Sequence, residues 1–191
     1  MDDEAVRAAT VGELKPYAVP VVVLDYDPNW PSWFEADRAE IVGALGERAL
    51  LVEHTGSTSV PGLAAKPIID MLLLVPEPAD EESYVPALAE AGYRLRVREP
   101  EWLEHRCLVR RVEHGDPHDV NLHVFCRSRA ADEIERILGF RDWLRTHDED
   151  RDRYAAVKRD LAQRRWKYVQ NYADAKTEII KEIHQKAGLP S

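Results

Sequence analysis

The chain has 191 residues, 45% of them hydrophobic and 32% charged. That composition supports one domain with a buried core and excludes a disordered or collagen-like chain. No apolar run approaches the ~20 residues needed to span a bilayer, and the acidic start Met1-Asp2-Asp3-Glu4 lacks the apolar stretch of a signal peptide.

Cys107 and Cys126 have no CxxC spacing, so they read as reduced thiols of a cytoplasmic protein. The net charge of −9 argues against a nucleic acid partner. Charge is uneven along the chain. Residues 1–135 hold 26 Asp and Glu against 13 Lys and Arg, while residues 136–191 hold 9 against 13. The basic C-terminal part fits a local pocket for a small anion, beside ordinary solvated helix faces.

In chain order, residues 1–18 read as a polar lead-in. Val19–Leu24 is β-branched and contains Pro20, which predicts an edge strand. Pro31 suits a first helical position, and Phe34, Ile41, Val42 and Leu45 follow at helical spacing up to Gly46. Ala49–Val52 and Ile68–Val75 read as strands around a turn-rich loop from Thr55 to Lys66. Tyr84–Ala91 predicts a helix stopped by Gly92. Tyr93–Val97 and Leu108–Val112 read as strands with Arg-rich outward faces, Gly115-Asp116-Pro117 as a turn, and Val120–Phe125 as another strand.

From Ala131 the pattern turns helical. One stretch covers Ala131–Arg145, with Gly139 a candidate break. Another starts near Asp150 and runs through Val157 and Leu161, and a last one carries Val169, Ala173, Ile179, Ile180 and Ile183. Neither Gly nor Pro separates these final two, which leaves room for one long helix. The expected architecture is α/β in the α+β sense: a core over residues 19–130 with a mixed sheet and flanking helices, then a C-terminal helical lobe of the same unit over 131–191.

Chemistry concentrates in Glu53-His54-Thr55-Gly56-Ser57-Thr58-Ser59 and its sequel Lys66-Pro67-Ile68-Ile69-Asp70. A Gly followed by three hydroxyls after a strand can present N–H groups to an anion, or can be an ordinary turn. Asp70 interrupts an apolar strand, so its carboxylate must be paired, hydrogen-bonded, metal-bound or at a strand end. Lys66 reads as a point charge for phosphate or as a lysine snorkelling at a strand entrance.

Further on, Asp119, Asn121 and His123 share one strand face, as a metal or general-base site or as a solvated side. His54 is a second candidate base. Arg141/Arg145, Tyr154/Lys158 and Tyr172/Lys176 are each four apart, as anion clamps or as surface pairs.

These stretches resemble the GrpB family of the polymerase-beta-like nucleotidyltransferase superfamily. The likeness rests on Val23–Pro31, His54–Gly62 with Lys66–Asp70, Asn121-Leu122-His123-Val124, Phe140–Arg145 and the two Tyr/Lys pairs, and it covers about residues 19–186. It implies a nucleotidyltransferase-like mixed sheet in which Gly56 and Ser57, with Thr58 and Ser59, hold the phosphates of a nucleoside triphosphate. Asp70, Asp119 and His123 would bind Mg2+, with Asp70 and His123 catalytic, and Lys66, Arg141, Arg145 and Lys158 would neutralise phosphate.

The implied activity is metal-dependent transfer of a nucleotidyl group to a small-molecule acceptor, including carboxylate activation for amide ligation. The superfamily pattern has a second carboxylate two residues from the first, whereas this chain has Ile68 and Leu72 there. That departure supports an alternative: a non-catalytic module for a nucleotide or coenzyme-A-related metabolite with a degenerate metal site.

Overall fold

The computed structural model describes residues 3–13, 21–114, 118–166 and 169–190, without the side chains of 169 and 170. Five strands, β1 (Leu51–Thr55), β2 (Ile68–Leu74), β3 (Arg94–Glu99), β4 (His105–Arg110) and β5 (Asp119–Phe125), form one mixed sheet in the order β1-β2-β5-β4-β3. β2 and β5 run parallel and the other neighbours antiparallel. The expected α/β architecture, a mixed sheet with flanking helices and further helices at the C-terminal end, is the one found.

The period-2 pattern of the two central strands decides the layers. Ile69, Met71 and Leu73 of β2 align with Val120, Leu122 and Val124 of β5 on one face. There they pack in one core with α2 (Trp30–Leu45) and α3 (Val85–Glu90). α2 forms because Pro31 starts it and Trp30, Phe34, Asp37, Ile41 and Leu45 return to one side every three or four residues. The alternate residues Asp70 and Leu72, beside Asn121 and His123, face the other way.

On that second side lie α4 (Arg127–Thr146), α5 (Asp148–Ala162) and α7 (Thr177–Ala187). Ile134 of α4 packs on Leu72, Leu74 and Phe125. Leu144, Tyr154, Ala155, Ile179 and Ile183 pack on Val60, Leu63 and Ala64, which fixes the loop between β1 and β2 against the helices.

Several expectations are corrected. Of the edge strand over 19–24, residues 19 and 20 lie outside the described residues, and Leu24 makes only an isolated antiparallel bridge with Ala65. The lead-in carries a short helix, α1 (Asp3–Ala9), whose Val6 is buried, and Val11 N–H bonds the Arg96 carbonyl on β3 (2.8 Å). The turn 115–117 also lies outside the described residues.

Gly139 does not break α4. A Cβ there would stand 2.3 Å from Leu189 Cδ2, so the glycine is the seat on which the C-terminal segment packs. The final helical region is not one helix. After α5 the Trp166 indole N–H bonds the Leu161 carbonyl (2.9 Å), and the chain becomes helical again as α6 (Val169–Asp174) and α7. The arginines of β4 do not face outward: Arg106 and Arg110 are buried on the α2/α3 side.

Candidate functional site

Gly56 follows the last residue of β1 and has φ of 63°. A Cβ on it would lie 2.3 Å from Asp70 Oδ2 and 2.8 Å from Asp70 Cβ, because Thr55 pairs with Asp70 across the two strands. Only glycine fits both the dihedral and the approach. Ser57–Ser59 then make one 3-10 turn.

The three hydroxyls of that turn divide. Thr58 is buried and donates to the Ile68 carbonyl (3.1 Å), so its oxygen accepts from His54 Nε2 (3.0 Å). Ser59 donates to the Gly56 carbonyl (2.6 Å). Both hydroxyl protons are thus given to carbonyls of the turn and its neighbouring strand. Ser57 alone keeps its hydroxyl toward the cations, accepting from Lys158 Nζ at 2.8 Å and bonding to Tyr154.

Asp70 is the centre of this region. Its Oδ1 accepts from Asn121 Nδ2 at 2.8 Å, and Arg111 donates to Asn121 Oδ1 and to the Val120 carbonyl. Arg111 therefore fixes which way the Asn121 amide points. Burial pushes the Asp70 carboxyl up, against the pull of the Asn121 hydrogen bond and the charges of Lys176, Lys66 and Arg111.

Lys66 precedes β2, Lys158 lies on α5 and Lys176 lies between α6 and α7. Lys158, 2% exposed, also donates to the Ala64 carbonyl and stands 4.6 Å from the centre of the Tyr154 ring. Lys66 and Lys176 stand 5.9 and 4.9 Å from the centre of the Tyr172 ring. Burial lowers the pKa of all three, and Lys176 lowers those of Lys66 and Lys158 further. Asp70 acts on each of them in the opposite direction. The two Tyr/Lys pairs thus converge on the segment that holds Gly56, Ser57 and Asp70.

A cavity of about 910 Å³ opens over this face of the sheet, with Gly56, Asp70 and Tyr154 at one end. The lysines adjoin that end rather than line the cavity. Elsewhere its wall is largely apolar, with Leu72, Phe125 and Phe140. It also reaches a polar row on β3, β4 and β5. Glu99 Oε2 bonds His105 Nδ1 (2.7 Å), and His105 Nε2 bonds His123 Nδ1 (3.0 Å). In neutral His105 the proton on Nδ1 goes to Glu99, so Nε2 accepts from His123 Nδ1–H. His123 Nε2 is then left as an acceptor. Burial, then coulombic repulsion from the His105 ring whenever that ring is protonated, lowers the His123 pKa to about 3. Cys107 beside it is pushed up to about 12 by burial, which leaves it an inert thiol.

The expected metal ligands are not brought together. Asp119 and His123 are four residues apart on β5, about 13 Å along the strand, and Asp119 Oδ1 accepts from the Val112 N–H (2.9 Å). Among the described residues no group of three or more His, Cys, Asp or Glu side chains is arranged to hold a metal ion.

Arg141 and Arg145 are also placed differently from the expectation. Arg141 donates to Glu53 (2.7 Å) and to the His54 carbonyl (2.9 Å). Arg145 donates twice to the Ser59 carbonyl (3.1 and 2.9 Å). They brace β1 and its turn against α4. His54, the other candidate base, lies on the opposite face, stacked on Phe34 at 4.7 Å. Burial, then Arg145 and Arg141, lowers its pKa to about 4. Arg111, Glu99 and His105 are the members that the sequence did not single out for the site. Lys176 is a candidate anion clamp through its spacing from Tyr172, whereas the other three become neighbours only through strand register.

The model of the family described as GrpB protein matches residues 20–186. The chain belongs to the GrpB family. A UPF0157 protein of Halalkalibacterium halodurans is 55% identical over 97% of this chain and 91% of that protein. The crystal structure of the conserved protein GrpB from Enterococcus faecalis superposes with a TM-score of 0.75 at 32% identity, covering 87% of this chain and 96% of that one. The GrpB region also resembles part of a larger protein. The dephospho-CoA kinase of Mycolicibacterium paratuberculosis is 31% identical over 88% of this chain, which corresponds to 46% of that protein. Among the described residues no helix is long and apolar enough to cross a membrane.

Proposed function

We propose that this protein binds the phosphate groups of a nucleotide or coenzyme-A-related small molecule at the Gly56-Ser57 turn. The observation that carries this reading is the convergence of Lys66, Lys158 and Lys176, from three separate segments, on the turn and on Asp70. Ammonium groups crowded in a low-dielectric site repel one another and favour an anion among them. The neighbouring cavity, with its apolar and aromatic wall, suits the remainder of such a molecule. Likeness to part of a dephospho-CoA kinase supports including coenzyme-A-type ligands.

The test is calorimetric titration with ATP, GTP, CTP, UTP and coenzyme A. At least one should bind, and Lys158→Met should weaken it by about tenfold or more, the scale of losing a charge-assisted hydrogen bond. No binding by any of the five would overturn the reading.

A second reading, nucleotidyl transfer to a small-molecule acceptor, draws on the Glu99–His105–His123 row in the same cavity. There His123 Nε2, a neutral acceptor, would hold the acceptor hydroxyl by a hydrogen bond and orient it. Turnover lost in His123→Gln, with nucleotide binding kept, is its expected signature.

A further inference from the structure

We infer that the anion site works without a divalent cation: Lys66, Lys158 and Lys176 supply the positive charge, and the preferred ligand is a free phosphate chain rather than its Mg2+ complex. The inference rests on the phosphate-binding reading above.

The first argument is the donor set. An ion such as Mg2+ binds oxygen at about 2.1 Å, so side-chain atoms that share it must lie within a few ångströms of each other. Asp119 and His123 stand too far apart on β5 to do so. The positions flanking Asp70 on its own face, Ile68 and Leu72, are apolar, and Leu72 is 1% exposed.

The second argument concerns the carboxylate that remains. A Mg2+ held by one carboxylate and substrate phosphates needs a carboxylate oxygen open toward the phosphates. Asp70 Oδ1 is taken by the Asn121 amide, whose other end is held by Arg111. Asp70 Oδ2 lies beside the Gly56 backbone at the end of the cavity, where the carboxylate already answers the charges of Lys176, Lys66 and Arg111. Asp70 is thereby an anchor for the turn and a counter-charge for the lysines.

The third argument is electrostatic. The charges of Lys66, Lys176 and Arg111 already act on Asp70, and Lys158 feels both Asp70 and Lys176. A divalent cation brought there would be attracted by Asp70 alone and repelled by Lys66, Lys158, Lys176 and Arg111, whereas a polyanion is drawn to those four. Mg2+ complexed to ATP also cancels part of the phosphate charge, which weakens the attraction of the lysines.

The experiment is titration with ATP, and in parallel with pyrophosphate, in excess EDTA and in excess Mg2+. A Mn2+ titration of the ligand-free protein is followed by electron paramagnetic resonance. Binding in EDTA should be at least as tight as in Mg2+, and no Mn2+ should be retained at Asp70. Asp70→Asn, checked for folding by its thermal melt, should keep or strengthen ATP binding in EDTA, because it removes the internal competitor for the lysines. Lys176→Met should weaken that binding by about tenfold, and it keeps the inference testable if Asp70→Asn does not fold.

Binding that requires Mg2+ would overturn the inference and leave the phosphate reading standing. So would a Mn2+ site lost in Asp70→Asn, or an unchanged affinity in Lys176→Met. Failure of both probes in every condition would remove this inference together with the phosphate reading for ATP.

Discussion

The face of the sheet under α2 and α3 and the face that carries Asp70 are built by the same alternating strands, yet they treat buried charge differently. Under the helices, cations meet carboxylates directly. Arg110 reaches Asp37 and Glu40, His118 Nε2 bonds Asp37 (2.7 Å) with Trp33 stacked on its ring, and Arg106 reaches Glu81. On the other face Lys158 meets a hydroxyl and a carbonyl, and Lys66 and Lys176 stand over a tyrosine ring. A closed ion pair holds two elements together; cations that share one carboxylate retain attraction for a further anion. The comparison separates charge that builds the fold from charge held for a ligand.

The largest effect that would break this comparison lies on the covered face. Arg110→Met leaves Asp37, 2% exposed, without its guanidinium. Removing one partner of a buried pair costs about 3–5 kcal/mol, so the urea midpoint should fall sharply while the ATP affinity of the folded fraction holds. Lys158→Met should do the reverse, weakening the ligand and costing little stability. If Lys158→Met proves the more destabilising of the two, the division of roles between the faces is wrong.

Acid should sharpen the same contrast. The His54 pKa lies near 4 in the fold against an ordinary value near 6.5. The unfolded chain therefore binds more protons between those values. The stabilisation from keeping His54 neutral is fully present above about pH 6.5 and is lost as pH falls toward about 4. At 1.36 kcal/mol per unit this amounts to roughly 3 kcal/mol. Urea denaturation at pH 7, 5.5 and 4.5 should follow that fall, with a shallower slope in His54→Gln. Equal slopes in the two proteins would remove His54 as the cause.

How much of this was legible beforehand follows from which interactions are local. Strand alternation put Asp70 on one face of β2 and Asn121 and His123 on one face of β5, and the parallel register then joined them. The Gly56-Ser57 turn was visible because glycine and hydroxyl residues announce a turn by their own chemistry. What Thr58 and Ser59 bond to was not visible, since a hydroxyl reads the same whether it faces a ligand or the Ile68 carbonyl.

Arg141 and Arg145 had the right spacing for a shared target, and they do share one. It is the backbone of β1 and its turn, a target that only the packing of α4 reveals. The burial of Arg106 and Arg110 was hidden for a related reason. Their carboxylate partners lie at positions 81, 37 and 40, far away in sequence, and no local pattern records the pairing. Asp119 and His123 read as ligands of one ion because strand alternation puts them on one face; the four-residue separation along β5, about 13 Å, keeps them apart.

The smallest expected effect is the most direct probe of the lysines. Burial, largest for each, holds Lys66, Lys158 and Lys176 below the ordinary lysine value, and their mutual repulsion adds to it for Lys66 and Lys158. A phosphate placed among them raises those values again, so binding takes up protons and affinity falls as pH rises. The phosphate itself, with a second pKa near 6, is fully ionised above about pH 7.5 and contributes no slope there. As pH rises from about 7.5 toward the ordinary lysine value of 10.5 the ATP affinity should therefore fall. Titrations in two buffers of different ionisation heat should register proton uptake, and Lys158→Met should flatten the profile. An affinity that stays level or rises with pH would place the bound anion away from the lysines, and with it the charge that distinguishes this face from the other.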